Sequence, residues 1–149
     1  MILLFLKRLL TGVFGTSTAG TARPASLRTP LRAVAIVEDN AFQRDVLERM
    51  VASVFSGCRC QVYDSPLEAL EGIAGGDHVD LIISDVFMPD LDGFELVKRL
   101  RGFNPGLRSI LVTSHEAEEI PDEKKGTVDA LLFKPVTARL LGDVRARLS

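Results

Sequence analysis

From Ala33 onward the chain repeats one pattern five times: a short apolar run, a polar break, then a segment with apolar residues at helical spacing. "AVAIV" at 33–37 is β-branched and stops at Glu38-Asp39-Asn40, a helix-start signal. Phe42, Val46, Met50 and Val54 follow at a spacing of four, flanked by Leu47 and Val51, and mark the apolar face of a first helix. "CQVYD" at 60–64 is a second strand. Ser65-Pro66-x-Glu68 then joins an N-cap, a first-turn proline and a capping-box glutamate at the head of a helix over 66–74. The third strand, "DLIISD" at 80–85, leads to a helix from Gly93 to Arg101. "SILVTS" at 109–114 is the fourth strand, and the polar stretch after it, broken by Pro121, predicts a short or irregular fourth helix. "ALLFKP" at 130–135 is the fifth strand, and Val136, Leu140, Val144 and Leu148 stripe the last helix.

Apolar strands alternating with amphipathic helices predict an α/β fold, a five-stranded parallel sheet with helices on both faces. Sheets of this kind bind ligands outside the carboxyl ends of their strands. The residues there are Glu38 and Asp39 after the first strand, Asp85 after the third, Thr113 and Ser114 after the fourth, and Lys134 near the end of the fifth. Three acids, two hydroxyls and one amine are thus expected on one rim. Carboxylates gathered in this way repel one another unless a cation intervenes, and a hard divalent ion such as Mg²⁺ suits such oxygen ligands. A carboxylate can also attack phosphorus when the charge of the transferring group is drawn off. Lys134 offers a mobile positive charge and Thr113 a hydroxyl donor for phosphoryl oxygens.

Glu38-Asp39, Asp85 within "DVFMPDLDG", Thr113 and Lys134-Pro135, in this order at the ends of alternating strands, resemble the receiver domain of two-component response regulators. The resemblance spans residues 33 to 149. It implies a flavodoxin-like (βα)5 topology and phosphorylation of Asp85 by a sensor histidine kinase or histidine phosphotransfer protein. It also implies Mg²⁺ held by Glu38, Asp39, Asp85 and the backbone carbonyl of Phe87, with Thr113 and Lys134 following the phosphoryl group. Such a protein is a signalling receiver, and the only reactions it catalyses are its own phosphorylation and dephosphorylation. Two features depart from the family pattern. Leu131 stands three residues before the lysine, where an aromatic switch residue is usual, and the fourth helix is weak. The chain ends with the fifth helix, so the expectation is a stand-alone receiver that signals by docking to an unknown downstream protein or by onward transfer.

Two other classes of function compete with that expectation. A receiver-like interaction module would work without phosphorylation. An aspartate-nucleophile phosphohydrolase would need a second acid two residues after Asp85, where this chain has Phe87, which has no proton to donate. His115, two residues beyond Thr113, reads first as a surface histidine, with a role in water access to the rim as the second reading, and Asp90 and Asp92 read as turn acids.

Residues 1–32 contain Lys7, Arg8, Arg23, Arg28 and Arg32 and no acid, whereas the remainder holds 13 basic and 20 acidic side chains. The net of −7 on the remainder argues against direct nucleic-acid binding, which relies on basic side chains at phosphates. The first 32 residues read as a leader that is disordered or not part of the mature protein; only an amphipathic reading of it would allow membrane contact. Cys58 and Cys60 form a C-x-C with no second pair to complete a zinc site, and read as reduced thiols of a cytoplasmic protein.

Overall fold

A computed structural model describes residues 29–149; residues 1–28, most of the leader, lie outside the described part. Five strands alternate with helices: β1 (Ala33–Val37), α1 (Ala41–Val54), β2 (Arg59–Tyr63), α2 (Pro66–Ala74), β3 (Leu81–Asp85), α3 (Gly93–Phe103), β4 (Arg108–Thr113), α4 (Asp122–Lys125), β5 (Ala130–Phe133) and α5 (Ala138–Leu148). The strands form one sheet in the order β2-β1-β3-β4-β5, and every pairing is parallel. The fourth helix is a single turn preceded by a 3₁₀ turn at Ala117–Glu119, as the polar, proline-broken sequence predicts.

Strand alternation divides the core into two layers. Val34, Ile36, Leu81, Ile83, Ile110, Val112 and Leu132 face α1 and α5; Ala35, Val37, Ile82, Leu111 and Leu131 face α2 and α3. Both faces are covered, which is why these strands read as nearly unbroken apolar runs. The caps are local and legible. Asn40 Oδ1 accepts from the Gln43 N–H, Ser65 Oγ from Glu68, Asp92 Oδ1 from Glu95, and Thr137 Oγ1 from Leu140.

One expectation needs correction. The Phe42-Val46-Met50-Val54 stripe is not the inner face of α1: Leu47 and Val51 are buried, Met50 and Val54 only partly, and Phe42 is 78% exposed. A spacing of four overshoots the helical period of about 3.6 residues, so the stripe winds around the helix. Its amino-terminal end therefore turns to solvent while Leu47 and Val51 meet the sheet.

At the opposite end of the strands from the rim, the buried Asp80 ties down the start of β1. Its Oδ2 accepts from the Arg32 and Ala33 N–H groups at 2.8 and 2.9 Å, and its Oδ1 lies 2.9 Å from His78 Nε2. Leu31 packs against the core and the Arg32 carbonyl accepts from the Arg59 N–H, so contacts with the domain begin a little before Ala33. Burial pushes the Asp80 carboxyl up, but the two backbone N–H groups and His78 outweigh it and hold it below its ordinary 3.8. A depressed carboxyl stabilises the fold above its unfolded pKa, and that contribution is lost as pH falls through the folded value. Asp80→Asn is therefore expected to cost about 1–2 kcal/mol near neutral pH. It should also flatten the stability loss below 3.8 in urea titrations run across pH. An unchanged acid limb would show that Asp80 is not the group responsible.

Candidate functional site

Register places the rim. Val37 pairs with Ser84, so Glu38 stands level with Asp85; Thr113 pairs with Phe133, so Lys134 is the next residue beyond the β4–β5 ladder. The strand order reverses between β1 and β3, and the acids gather over that crevice. Carboxylate oxygens of Glu38, Asp39 and Asp85 lie within 4.8 Å of one another. Lys134 Nζ reaches in from β5 to Asp85 Oδ2 at 3.0 Å and Glu38 Oε2 at 3.4 Å. Glu38 is 2% exposed, and Asp39 is exposed.

Burial raises the Glu38 pKa, with the Asp85 charge adding to the rise, while the Asn40 N–H at 3.1 Å and Lys134 oppose it. The loop between β1 and α1 is held from outside by Arg44, whose guanidinium donates to the Glu38 carbonyl at 2.9 Å and the Asp39 carbonyl at 3.4 Å. The turn after β3 is held as tightly. The Ser84 hydroxyl donates to the Asp85 carbonyl at 2.8 Å, Val86 N–H to Val112 O at 2.9 Å, and Gly93 N–H to Val86 O at 2.7 Å. Asp90 sits in the left-handed region at φ 72°, a conformation aspartate tolerates, and Asp92 caps α3. Neither belongs to the acid cluster.

Thr113 is fully buried at the end of β4, and its hydroxyl oxygen accepts the His115 N–H at 3.1 Å. Ser114 is exposed just past the strand. Phe87 is 47% exposed, sends its N–H toward Asp85 Oδ1 at 3.4 Å, and stacks on His115 with ring centroids 3.8 Å apart. The His115 ring thus packs on the residue two beyond Asp85, and its Nε2 lies 3.8 Å from Glu119 Oε2. Leu131 is 2% exposed, in the core layer that also contains Ile120 and Val128. Sequence reasoning did not single out Gln43, whose Oε1 accepts a hydrogen bond from Lys134 Nζ. The available signal was its place in the first turn of the helix that opens at the acidic pair.

A parallel sheet in this order, with acids at the crossover and a lysine just past the last strand, is the architecture of a receiver domain of two-component signalling. Residues 34–144 match the response regulator receiver domain family, and the chain belongs to it. It is 32% identical over 105 residues to the sensor histidine kinase RcsC of Escherichia coli (strain K12). That match covers 70% of this chain and 11% of RcsC, so the chain spans a small part of that relative. Among solved structures it is similar to a CheY-like receiver domain protein from Methanospirillum hungatei JF-1, with TM-score 0.66 and 26% identity over 80% of this chain and 94% of that one. It also shares its fold with the response regulator TrrA of Thermotoga maritima, solved in complex with Mg²⁺-BeF, at TM-score 0.69 and 22% identity over 80% of this chain and all of that one.

Proposed function

We propose that this receiver domain accepts a phosphoryl group on Asp85 from a sensor histidine kinase or histidine phosphotransfer protein. The observation that carries this reading is Lys134 Nζ lying 3.0 Å from Asp85 Oδ2, beside an acid cluster at the strand crossover. An Asp85 oxygen attacks phosphorus, the P–N bond of the donor's phosphohistidine breaks, and the imidazole leaves with the bond's electron pair and takes up a proton. Lys134 is already within reach of the oxygens that carry the transferred charge. The Thr113 hydroxyl oxygen is engaged as an acceptor, which leaves its proton free for a phosphoryl oxygen.

The residues present fit a divalent cation. Three carboxylates share a small volume with one ammonium, and burial makes the Glu38 charge costly. Glu38, Asp39 and Asp85, with the Phe87 carbonyl, would hold Mg²⁺, which when bound draws charge from the phosphoryl oxygens. Incubating the protein with acetyl phosphate tests the reading. One phosphoryl mass should be added with Mg²⁺ and none with a chelator. No adduct under either condition would leave the competing reading, a module that binds partners without phosphorylation.

Phe42 and Val46 on α1, the helix that opens just after the acidic pair, are 78% and 44% exposed and offer an apolar surface suited to docking of a protein donor. Phe42→Ser is expected to slow transfer from a phosphorylated protein donor by about tenfold or more, the loss of one well-buried interface aromatic. Transfer from acetyl phosphate should be unchanged. Equal slowing with both donors would place the effect in the chemistry and not in docking.

For the output we propose that the segment 114–126 moves while Leu131 stays. Leu131 has no ring to swing, and α4 is only one turn, anchored by the buried Ile120 and by Lys124 over the Phe94 ring at 5.7 Å. Beryllofluoride should change amide exchange chiefly in 114–126 and on the neighbouring face of α5; changes dominated by 130–134 would sink this mechanism. Signalling then proceeds by docking of a downstream protein or by onward transfer. The free thiols of Cys58 and Cys60 suit a cytoplasmic setting. Among the described residues no helix is long and apolar enough to cross a membrane.

A further inference from the structure

Lys134 carries three N–H donors, and three acceptors stand around its ammonium. Two are carboxylates of the site, Asp85 Oδ2 at 3.0 Å and Glu38 Oε2 at 3.4 Å. The third is Gln43 Oε1, from the first turn of α1. Gln43 differs from the other two in being neutral, exposed and outside the acid cluster. Its side chain has no part in building the helix, because the Asn40 cap uses only its backbone N–H. It belongs to neither core layer.

We infer that Gln43 is a positioning residue that shares the Lys134 ammonium with the acid cluster and so sets how strongly Lys134 competes with a divalent cation for the same carboxylates. The inference rests on the phospho-acceptor reading of the site. Lys134 holds the Glu38 and Asp85 carboxylates, and a divalent ion would draw on the same two groups. An acceptor outside the cluster engages one ammonium N–H and loosens the hold of Lys134 on those carboxylates. Because that acceptor is an amide, it does not add negative charge or trap the lysine as a carboxylate would. The ammonium stays within reach of Asp85 and remains free to follow a phosphoryl oxygen.

The test uses the full chain and Mg²⁺ alone, with affinity read from amide chemical shifts around Asp39 and Asp85. Gln43→Leu removes the acceptor at similar volume and should weaken Mg²⁺ binding by about threefold, the scale of one exposed hydrogen bond. Melting temperature should not move. Gln43→Glu should bind Mg²⁺ more tightly yet take up phosphoryl from acetyl phosphate more slowly, since its carboxylate retains Lys134. In a Lys134→Ala background, Gln43→Leu should have no effect on Mg²⁺ affinity, because the lysine is the only route by which Gln43 acts. Equal affinity in wild type and Gln43→Leu overturns the inference. So does a loss of the same size in the Lys134→Ala background, which would assign the effect to the start of α1. A wild type whose spectrum ignores Mg²⁺ would instead remove the site reading itself. A wild-type response that is abolished by Asp39→Asn but untouched by Gln43→Leu would remove only the role of Gln43.

Discussion

Asp85→Asn is expected to abolish phosphoryl incorporation while the fold survives. The substitution keeps the shape of the side chain and replaces the attacking carboxylate oxygen with an amide, which is a poor nucleophile. Stability should change by no more than about 1 kcal/mol, because two effects oppose each other. Lys134 loses a charged partner at 3.0 Å, and Glu38 loses a like-charged neighbour that helps raise its pKa. The 13% exposure of the Asp85 side chain keeps it open to a donor without leaving it fully solvated. Intact mass after acetyl phosphate treatment, together with a urea melt, measures both halves. An adduct that persists in Asp85→Asn would move the acceptor elsewhere, with Asp39 the first alternative. An unfolded variant would mean that Asp85 holds the strand end in place and is more than a reactive group on it.

The strands and the rim were legible because their determinants are local. An apolar run of four or five residues covered on both faces looks the same in sequence as in space, and parallel register then brings the strand ends level. Glu38, Asp39, Asp85 and Lys134 were brought together on that basis, with Thr113 buried beside them at the end of β4. What escaped depends on partners far apart in the chain or on backbone groups. Asp80 is buried because it accepts from N–H groups of Arg32 and Ala33, and nothing in the run "HVD" announces an acceptor role 47 residues away. The clamp in which Arg101 reaches Ser109 and Asp129, at 3.0 and 2.9 Å, joins α3 to β4 and the start of β5 across 28 residues. The inner face of α1 was misread for a different reason. Six apolar residues larger than alanine lie on that helix, more than one face can bury, and only docking on the sheet decides that Leu47 and Val51 go inward.

Gly93→Ala is expected to damage both the fold and the chemistry, and the cause is a single approach. A Cβ at Gly93 would stand 2.5 Å from the backbone oxygen of Asp85 and 3.2 Å from Val86 Cα and Leu111 Cδ2. The closest of these is main chain at the end of a central strand, pinned by the Ser84 hydroxyl and by the ladder to β4, so it cannot rotate away. Either α3 backs off the sheet or the end of β3 shifts. The cost should be about 1–3 kcal/mol, as for other overpacked sites, and on the order of 5–10 °C in Tm. Displacing the Asp85 backbone also misplaces the acceptor oxygen against Lys134, and an error of about 1 Å can slow a positioned reaction roughly a hundredfold. Gly102→Ala in the same helix supplies the comparison. Nothing lies within 4 Å of the Cβ it would add. Alanine there should be neutral or stabilise by up to about 1 kcal/mol through helix propensity. Measured side by side, the two glycines separate close packing from helix propensity. If Gly93→Ala matched Gly102→Ala in stability and in phosphorylation rate, the helix would not be seated against Asp85 as described. If it lost stability but kept its rate, the strand end would be holding Asp85 in place while α3 alone gave way.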